Sequence, residues 1–441
     1  MTPQTDYSRR DFFAAAAAAG LVLGSAARAQ PAPTPPSNRI RYALIGHGLQ
    51  GRTLLDAMRK IPGIEIAAVC DIWKLARDLA RSALLQAEIK IAVYENFEDL
   101  LAKEKDIQAA IVATPDCWHA PITNACLKAG LHVYCEKMMS NTVEGARSMV
   151  RTMRETGKLL QIGHQRRSNP RYLFTLNYLL NRLHLCGRIT SASGQWNRSV
   201  SQSQDFGAAK GAVLKPELLA KYGFADMHQF RNWRWYKKYG GGPLSDLGAH
   251  QIDIFNWFLG ALPRSVTAVG GMDYYPGREW YDNATAIFEY ALPAGVVRAR
   301  YEVQTTTSAG GYFETFLGDL GSLKISEDVT ATQAVREFEA PSWAEHLEQN
   351  YLQLLKVEVK DTDPRKVAAP PKKLETYGLP GSFAKDLHQP HLENFFDSIR
   401  GKAKLNCPAD EAFRSESVIH KANEAIAARR TLDITTADTE A

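Results

Sequence analysis

The stretch Arg41-Tyr-Ala-Leu-Ile-Gly-His-Gly-Leu-Gln-Gly-Arg52 constrains the fold of this chain more than any other. Residues 40–45 form a short apolar run of strand character. Gly46, Gly48 and Gly51 follow in G-x-G-x-x-G spacing, and from Leu54 the pattern turns helical, with Leu54, Leu55, Met58 and Ile61 on one face. A strand, a glycine turn and a helix in this order open a dinucleotide-binding βαβ unit. Gly46 makes the tight turn, Gly48 lets the backbone approach a pyrophosphate, and Gly51 lets helix pack on strand. The amides around His47, Leu49 and Gln50, with the helix dipole behind them, are then placed to hold phosphate charge. A second strand, residues 64–70, ends in Asp71, twenty residues past Gly51. A carboxylate there accepts hydrogen bonds from a ribose 2′-hydroxyl and repels a 2′-phosphate, so NAD is the expected cofactor and NADP is less favoured.

The same rhythm continues downstream. Residues 107–113 read as a strand, followed at its carboxyl end by Thr114-Pro-Asp-Cys-Trp-His-Ala-Pro-Ile122 and a helix around residues 123–129. A strand at 131–135 ends in Glu136-Lys137, a helix spans 142–156, and a last strand covers 159–163. Ligands of open α/β sheets bind at the carboxyl ends of strands. Thr114, Pro115, Asp116, His119, Glu136 and Lys137 are therefore expected to converge on the nicotinamide end, with Trp118 as a shield or a core residue.

Residues 1–29 read as an export leader. Ser8-Arg9-Arg10-Asp11-Phe12-Phe13 precedes a mild apolar run to Leu23, and Ala27-Arg28-Ala29 forms an A-x-A cleavage site. The run is too short and alanine-rich to span a bilayer, which takes about 20 apolar residues. Twin-arginine export moves folded proteins, which implies a periplasmic destination and a nucleotide loaded beforehand. Residues 30–38 are a Pro-rich arm. The remaining length exceeds one core and divides into a Rossmann domain (39–163), a substrate domain (164–432) and a polar tail (433–441) expected to fray. A net charge of only +5, without a basic cluster, gives no reason to expect nucleic acid or an anionic membrane as partner. The six cysteines show no metal spacing, and no metal is expected.

The glycine turn, Ala113-Thr-Pro-Asp116, Cys135-Glu-Lys137 and Gly241-Gly-Pro-Leu-Ser-Asp-Leu-Gly-Ala-His-Gln-Ile-Asp253 together resemble the glucose–fructose oxidoreductase/inositol dehydrogenase/MocA family. That resemblance spans most of the mature chain. It implies an α/β Rossmann domain followed by an α+β domain whose large, mostly antiparallel open sheet shapes a sugar site. It also allows a homo-oligomer formed through the open sheet. One departure stands out: the family has Glu-Lys-Pro where this chain has Glu-Lys-Met138, and losing proline frees the backbone of the lysine loop.

The second half reads in keeping with that fold. Strands are expected at 187–197, 265–272, 284–290, 296–304, 311–317 and 323–326, and helices at 391–400 and 410–429. Asp246, Ala249, His250, Asp253 and Trp257 step along one helical face that is unusually polar. Oxidising a secondary alcohol needs a base for the hydroxyl proton. His250, with an ordinary pKa of about 6.5, suits that task. Lys137 can hold the reacting oxygen and stabilise its developing charge, and Asp246 can orient the imidazole or bind a neighbouring hydroxyl. The resemblance gives the same three positions catalytic roles. Arg166, Trp196 and Arg198 are candidate substrate contacts, for sugar hydroxyls or an acidic group.

Three readings remain open at this stage. The first is an oxidoreductase acting on a sugar with a tightly held NAD. The second is an NAD-dependent glycoside hydrolase, in which transient oxidation at C3 acidifies the C2 proton and elimination expels the aglycone. The third, a silent sugar-binding protein, is disfavoured by the intact Lys137, Asp246 and His250.

Overall fold

The computed structural model describes residues 39–203, 205–207, 212–360, 372–379 and 385–441. The expected export leader and Pro-rich arm lie outside these residues. The first domain alternates β1 (Ile40–Ile45), α1 (Leu49–Met58), β2 (Ile64–Cys70), α2 (Lys74–Gln86), β3 (Ala92–Tyr94), α3 (Phe97–Lys103), β4 (Ala109–Val112), α4 (Asp116–Lys128), β5 (His132–Cys135), α5 (Val143–Thr156) and β6 (Leu160–Ile162). All six strands are parallel, in the order β3-β2-β1-β4-β5-β6. The order reverses between β1 and β4, so a crevice opens at their carboxyl ends. β1 is an apolar run because both its faces are covered. Tyr42 and Leu44 pack among Leu54, Leu55 and Met58, while Ala43 and Ile45 pack among Val112, Val133 and Ile162.

The second domain is built on a ten-stranded sheet of β7 (Ile189–Asn197), β8 (Ser265–Gly271), β9 (Asn283–Leu292), β10 (Gly295–Gln304), β11 (Tyr312–Gly318), β12 (Gly321–Ile325), β13 (Gln333–Arg336), β14 (Gln353–Lys360), β15 (Lys372–Gly378) and β16 (Leu432–Asp433). Its order is β14-β15-β13-β12-β11-β7-β10-β9-β8-β16, and only the β7–β10 pair is parallel. The expected fold class is thus present in both halves. One face of this sheet carries α6 (Ala249–Leu259), entered through a wider turn at Leu244–Gly248. A Cβ at Gly194 on β7 would stand 2.9 Å from the Phe255 ring, so glycine there lets α6 close down onto the sheet.

Two C-terminal helices return towards the first domain. α7 (Gln389–Ile399) inserts Leu392, Phe395 and Phe396 beside Tyr42 and Leu55, and α8 (Ala409–Ala428) sends Phe413 into the opposite Rossmann core. Further along, α8 packs Val418, Ile419 and Ala422 in the core of the second domain. The expectation of a frayed tail is corrected. Leu432 and Asp433 pair with Val266 and Ser265 of β8. Thr435 and Asp438 form a capping box over the turn Thr436–Thr439, and Arg154 donates to the Ala441 carbonyl at 2.7 Å. A polar composition did not reveal these partners because they lie far away in sequence. No helix among the described residues is long and apolar enough to cross a membrane.

Candidate active site

The glycine turn works by steric exclusion. Gly46 has φ +94°, and a Cβ on it would stand 2.4 Å from the Ala113 carbonyl oxygen. A Cβ on Gly51 would stand 2.0 Å from the Gly46 carbonyl oxygen, which is the close helix–strand contact in atomic terms. At Gly48 a Cβ would meet nothing within 4 Å. That open position lies where α1 begins without a side-chain cap and without an acid in its first turn. Its amides therefore face outward for an anion, beside a Leu49 that is 75% exposed. The carboxylate of Asp71 ties β2 to this turn, accepting from the His47 N–H at 2.8 Å and the Trp73 N–H at 2.8 Å. Burial raises its pKa against those two bonds. These features fit a dinucleotide. His47, however, acts through its backbone: its ring is buried, with Nδ1 3.0 Å from the Ala76 carbonyl.

The neighbouring loops are bound to one another. Gln50 Nε2 donates to Glu136 Oε1 at 3.2 Å and lies 3.4 Å from His388 Nε2. His119 is buried between two carbonyls, 2.7 Å from Thr114 and 2.6 Å from Met138. It is a clamp joining the two loops, so its expected contact with the cofactor is corrected. Pro115 caps α4, and Thr114 keeps a buried hydroxyl with no partner. Trp118 donates to the Tyr222 carbonyl at 3.2 Å and packs edge-on to that ring, a structural role. Met138, in the proline's place, is buried in the core of the second domain. Its carbonyl meets His119, and the next N–H, of Met139, donates to Glu416 Oε2 at 2.6 Å. Hydrogen bonds thus hold the lysine loop where a pyrrolidine ring would otherwise restrict it.

Lys137 and Asp246 meet across the domains. Lys137 Nζ donates to the Asp246 carbonyl oxygen at 2.6 Å and lies 3.7 Å from Oδ1. Arg234 Nε donates to Oδ1 at 3.1 Å, and Arg198 Nη1 donates to Oδ2 at 3.3 Å. Burial alone would raise the Asp246 pKa, but Arg234, Lys137 and Arg198 hold it well below the usual carboxylate range. Asp246 makes no hydrogen bond to His250, so its expected orienting role is corrected: three cations occupy its carboxylate. Burial, then the charges of Lys137 and Arg166 and the nearby His164 and His388, push the His250 pKa well below its ordinary value. A neutral imidazole results, its Nδ1 buried without a partner and its ring 5.4 Å from that of Trp196. Asp116, at the start of α4, is pushed up to about 7 by burial, against Lys137 and Arg234.

Arg166 is corrected from a substrate contact to a core residue. It is ion-paired with Glu314 and, at 3.2 Å, with Glu327, and its guanidinium lies near the rings of Tyr172, Trp196 and Tyr312. Trp196 and Arg198 do reach the cleft beside His250 and Asp246. Arg234 and His388 are site residues that sequence reasoning passed over. Arg234 lies within the aromatic stretch 226–239, whose Trp233-Arg234-Trp235 core was the available signal. His388 follows a segment without any pattern.

Family models described as "Oxidoreductase family, NAD-binding Rossmann fold" and "Oxidoreductase family, C-terminal alpha/beta domain" match residues 40–164 and 211–434. The chain belongs to the Gfo/Idh/MocA family. An inositol 2-dehydrogenase of Rubrobacter xylanophilus is 31% identical over 139 residues, 31% of this chain and 38% of that protein. The scyllo-inositol 2-dehydrogenase (NADP(+)) IolW of Bacillus subtilis is 26% identical over 404 residues, 89% of this chain and 95% of its own. A glycosyl hydrolase family 109 protein of Solibacter usitatus is 27% identical over 265 residues, 56% of each chain. Among solved structures, the WlbA dehydrogenase of Chromobacterium violaceum, in complex with NADH and UDP-GlcNAcA, superposes with a TM-score of 0.66 at 20% identity. That superposition covers 92% of this chain and 98% of WlbA.

Proposed function

We propose that this Gfo/Idh/MocA protein transfers hydride between a tightly held NAD and a secondary alcohol of a sugar or sugar derivative, in the periplasm after twin-arginine export. The observation that carries the reading is the meeting of Lys137, from the end of β5, with Asp246 of the second domain, near enough to His250 for its charge to act on the imidazole, at the crevice beside the glycine turn. NAD, when bound, supplies the hydride acceptor. The chain's own residues do the rest. Lys137, fixed on the Asp246 carbonyl, donates to the substrate oxygen and stabilises its developing negative charge. His250, neutral because it is buried among positive neighbours, takes the hydroxyl proton. Trp196 lies against the imidazole and limits its rotation. Without a dependable free NAD pool in that compartment, the cofactor returns to its starting state within each cycle, through an acceptor substrate. Asp71→Ala is expected to relax the preference against NADP, read as the ratio of the two nucleotides' dissociation constants.

A second reading has a specific support, the match to glycosyl hydrolase family 109 proteins. In that reading oxidation at C3 is transient: the C2 proton is lost, the aglycone is expelled from C1 by elimination, water adds in its place and the hydride returns to C3. Product analysis separates the two. Oxidoreductase action yields a keto-sugar or lactone and stops without an acceptor. Cleavage of aryl glycosides through many turnovers, with no acceptor present, overturns the first reading in favour of the second.

A further inference from the structure

We propose that the sugar taken by this site carries an oxyanion, a carboxylate or a phosphate, bound by Arg198 and Arg234. The inference rests on the reading of the site as one that oxidises a sugar, and it names the substrate class. It begins with a charge imbalance. One carboxylate, that of Asp246, faces three cations: Lys137 at 3.7 Å, Arg198 at 3.3 Å and Arg234 at 3.1 Å. The other acid within reach of Lys137 and Arg234 is Asp116, whose pKa of about 7 leaves it only partly ionised at neutral pH. The cleft is therefore positive before substrate arrives.

The two arginines are also prepared for a ligand. Each guanidinium donates one hydrogen bond, to Asp246, and no other among the described residues, while it carries five N–H donors. Arg198 is 33% exposed and Arg234 47%, so the remaining donors open to the cleft. Both are braced on tryptophans, Arg198 5.5 Å from the Trp196 ring and Arg234 4.2 Å from the Trp233 ring. A planar fork held this way matches a carboxylate or phosphate better than a neutral hydroxyl. A substrate anion would also offset the positive neighbours that depress His250, making the base stronger when substrate is in place.

The test compares methyl glucuronides, methyl glucoside 6-phosphates and neutral methyl glucosides of both anomers on protein with its own NAD. Binding is read by calorimetry and reduction of the bound NAD by absorbance. At least one anionic series is expected to bind about tenfold or more tightly than its neutral partner, and which series does so identifies the oxyanion. Arg198→Gln and Arg234→Gln, checked for nucleotide content as a measure of folding, should each collapse that anionic-to-neutral ratio. Equal or weaker binding of both anionic series, or a ratio unmoved by both substitutions, overturns the proposal. Reduction of bound NAD by the neutral sugars would in that case leave the oxidoreductase reading standing. Tight, arginine-dependent binding of an anionic sugar that neither reduces the NAD nor is cleaved sustains the anion site and overturns the redox reading.

Discussion

His250 and Lys137 sit on the same reacting oxygen in the proposed mechanism, one as proton acceptor and one as charged donor. His250→Asn keeps much of the imidazole's shape and removes the base, which is worth about 10² to 10⁴ in rate. Lys137→Ala should cost at least as much. Neither side chain belongs to the glycine turn, so both variants should keep their nucleotide while single-turnover reduction slows. A variant that reduces its cofactor at the wild-type rate removes its residue from the mechanism. Asp116 offers a second test, with a sign. Its folded pKa, pushed up to about 7 by burial, exceeds the ordinary 3.8, so the folded state binds more protons between those values and stability falls as pH rises through them. Asp116→Asn should therefore raise the free energy of unfolding, and Tm with it, by an amount that grows from about pH 4 to 7 and then levels off at up to a few kcal/mol. A Tm gain that shrinks as pH rises across that window refutes the burial argument. At this scale the sequence marked Lys137 by its place at a strand's carboxyl end, and Asp246 and His250 because helical spacing put polar residues on one face. It could not separate Arg166 from Arg198, since only the fold shows that Glu314 and Glu327 close around one guanidinium and leave the other open.

The glycine turn is the element whose parts separate most cleanly. A methyl at Gly51 meets backbone at 2.0 Å, whereas one at Gly48, where φ is −70°, meets open space. Gly51→Ala should thus lower stability by about 1–3 kcal/mol, the usual cost of overpacking. Gly48→Ala should fold nearly as well as wild type, yet lose NAD, because its methyl stands where the pyrophosphate approaches. Denaturation midpoints and nucleotide content measure the two effects, and equal NAD occupancy in Gly48→Ala and wild type would contradict the phosphate assignment. This element was legible because strand, glycine spacing and terminal acid are all local. β1, β2 and β4 to β6 were legible too, as apolar runs buried on both faces. β13 to β15 were not: in β14, the strand at the sheet's edge, Leu354, Leu355 and Val357 are exposed with their neighbours, so no inward–outward alternation marks residues 353–357. The wide turn at Leu244–Gly248 was equally hidden. It shifts Asp246 off the regular helical register, and the carboxylate faces arginines instead of His250.

In the whole molecule, the second domain reaches back over the rim of the nucleotide crevice. Trp73, two residues past Asp71, donates its Nε1 proton to the Ala212 carbonyl at 2.7 Å and packs edge-on to Phe230. Cys117 N–H donates to the Tyr239 carbonyl at 3.1 Å, and Lys221 and Tyr222 donate to Asn96 Oδ1 at 2.7 and 2.9 Å. Leu214, Leu219, Tyr222, Phe224 and Tyr239 form a small core that takes in Ile72, Trp73, Cys117 and Trp118 of the first domain. The strap closes on the segments that follow β2, β3 and β4, and those after β2 and β4 carry Asp71 and Thr114 to Asp116 at the rim of the crevice. Opening the crevice along this edge means parting these bonds, so NAD should leave slowly. The purified mature protein is accordingly expected to carry NAD(H) with none added, measured by denaturing it and assaying the released nucleotide. Trp73→Phe removes one hydrogen bond and keeps a ring; Trp73→Ala removes both. Each interaction is worth about 1 kcal/mol, so release into a nucleotide-free trap should quicken several-fold in the first variant and about tenfold or more in the second. Folded protein that emerges empty would sink the retention argument outright. Release rates equal across all three proteins would show that the strap joins the domains without guarding the cofactor.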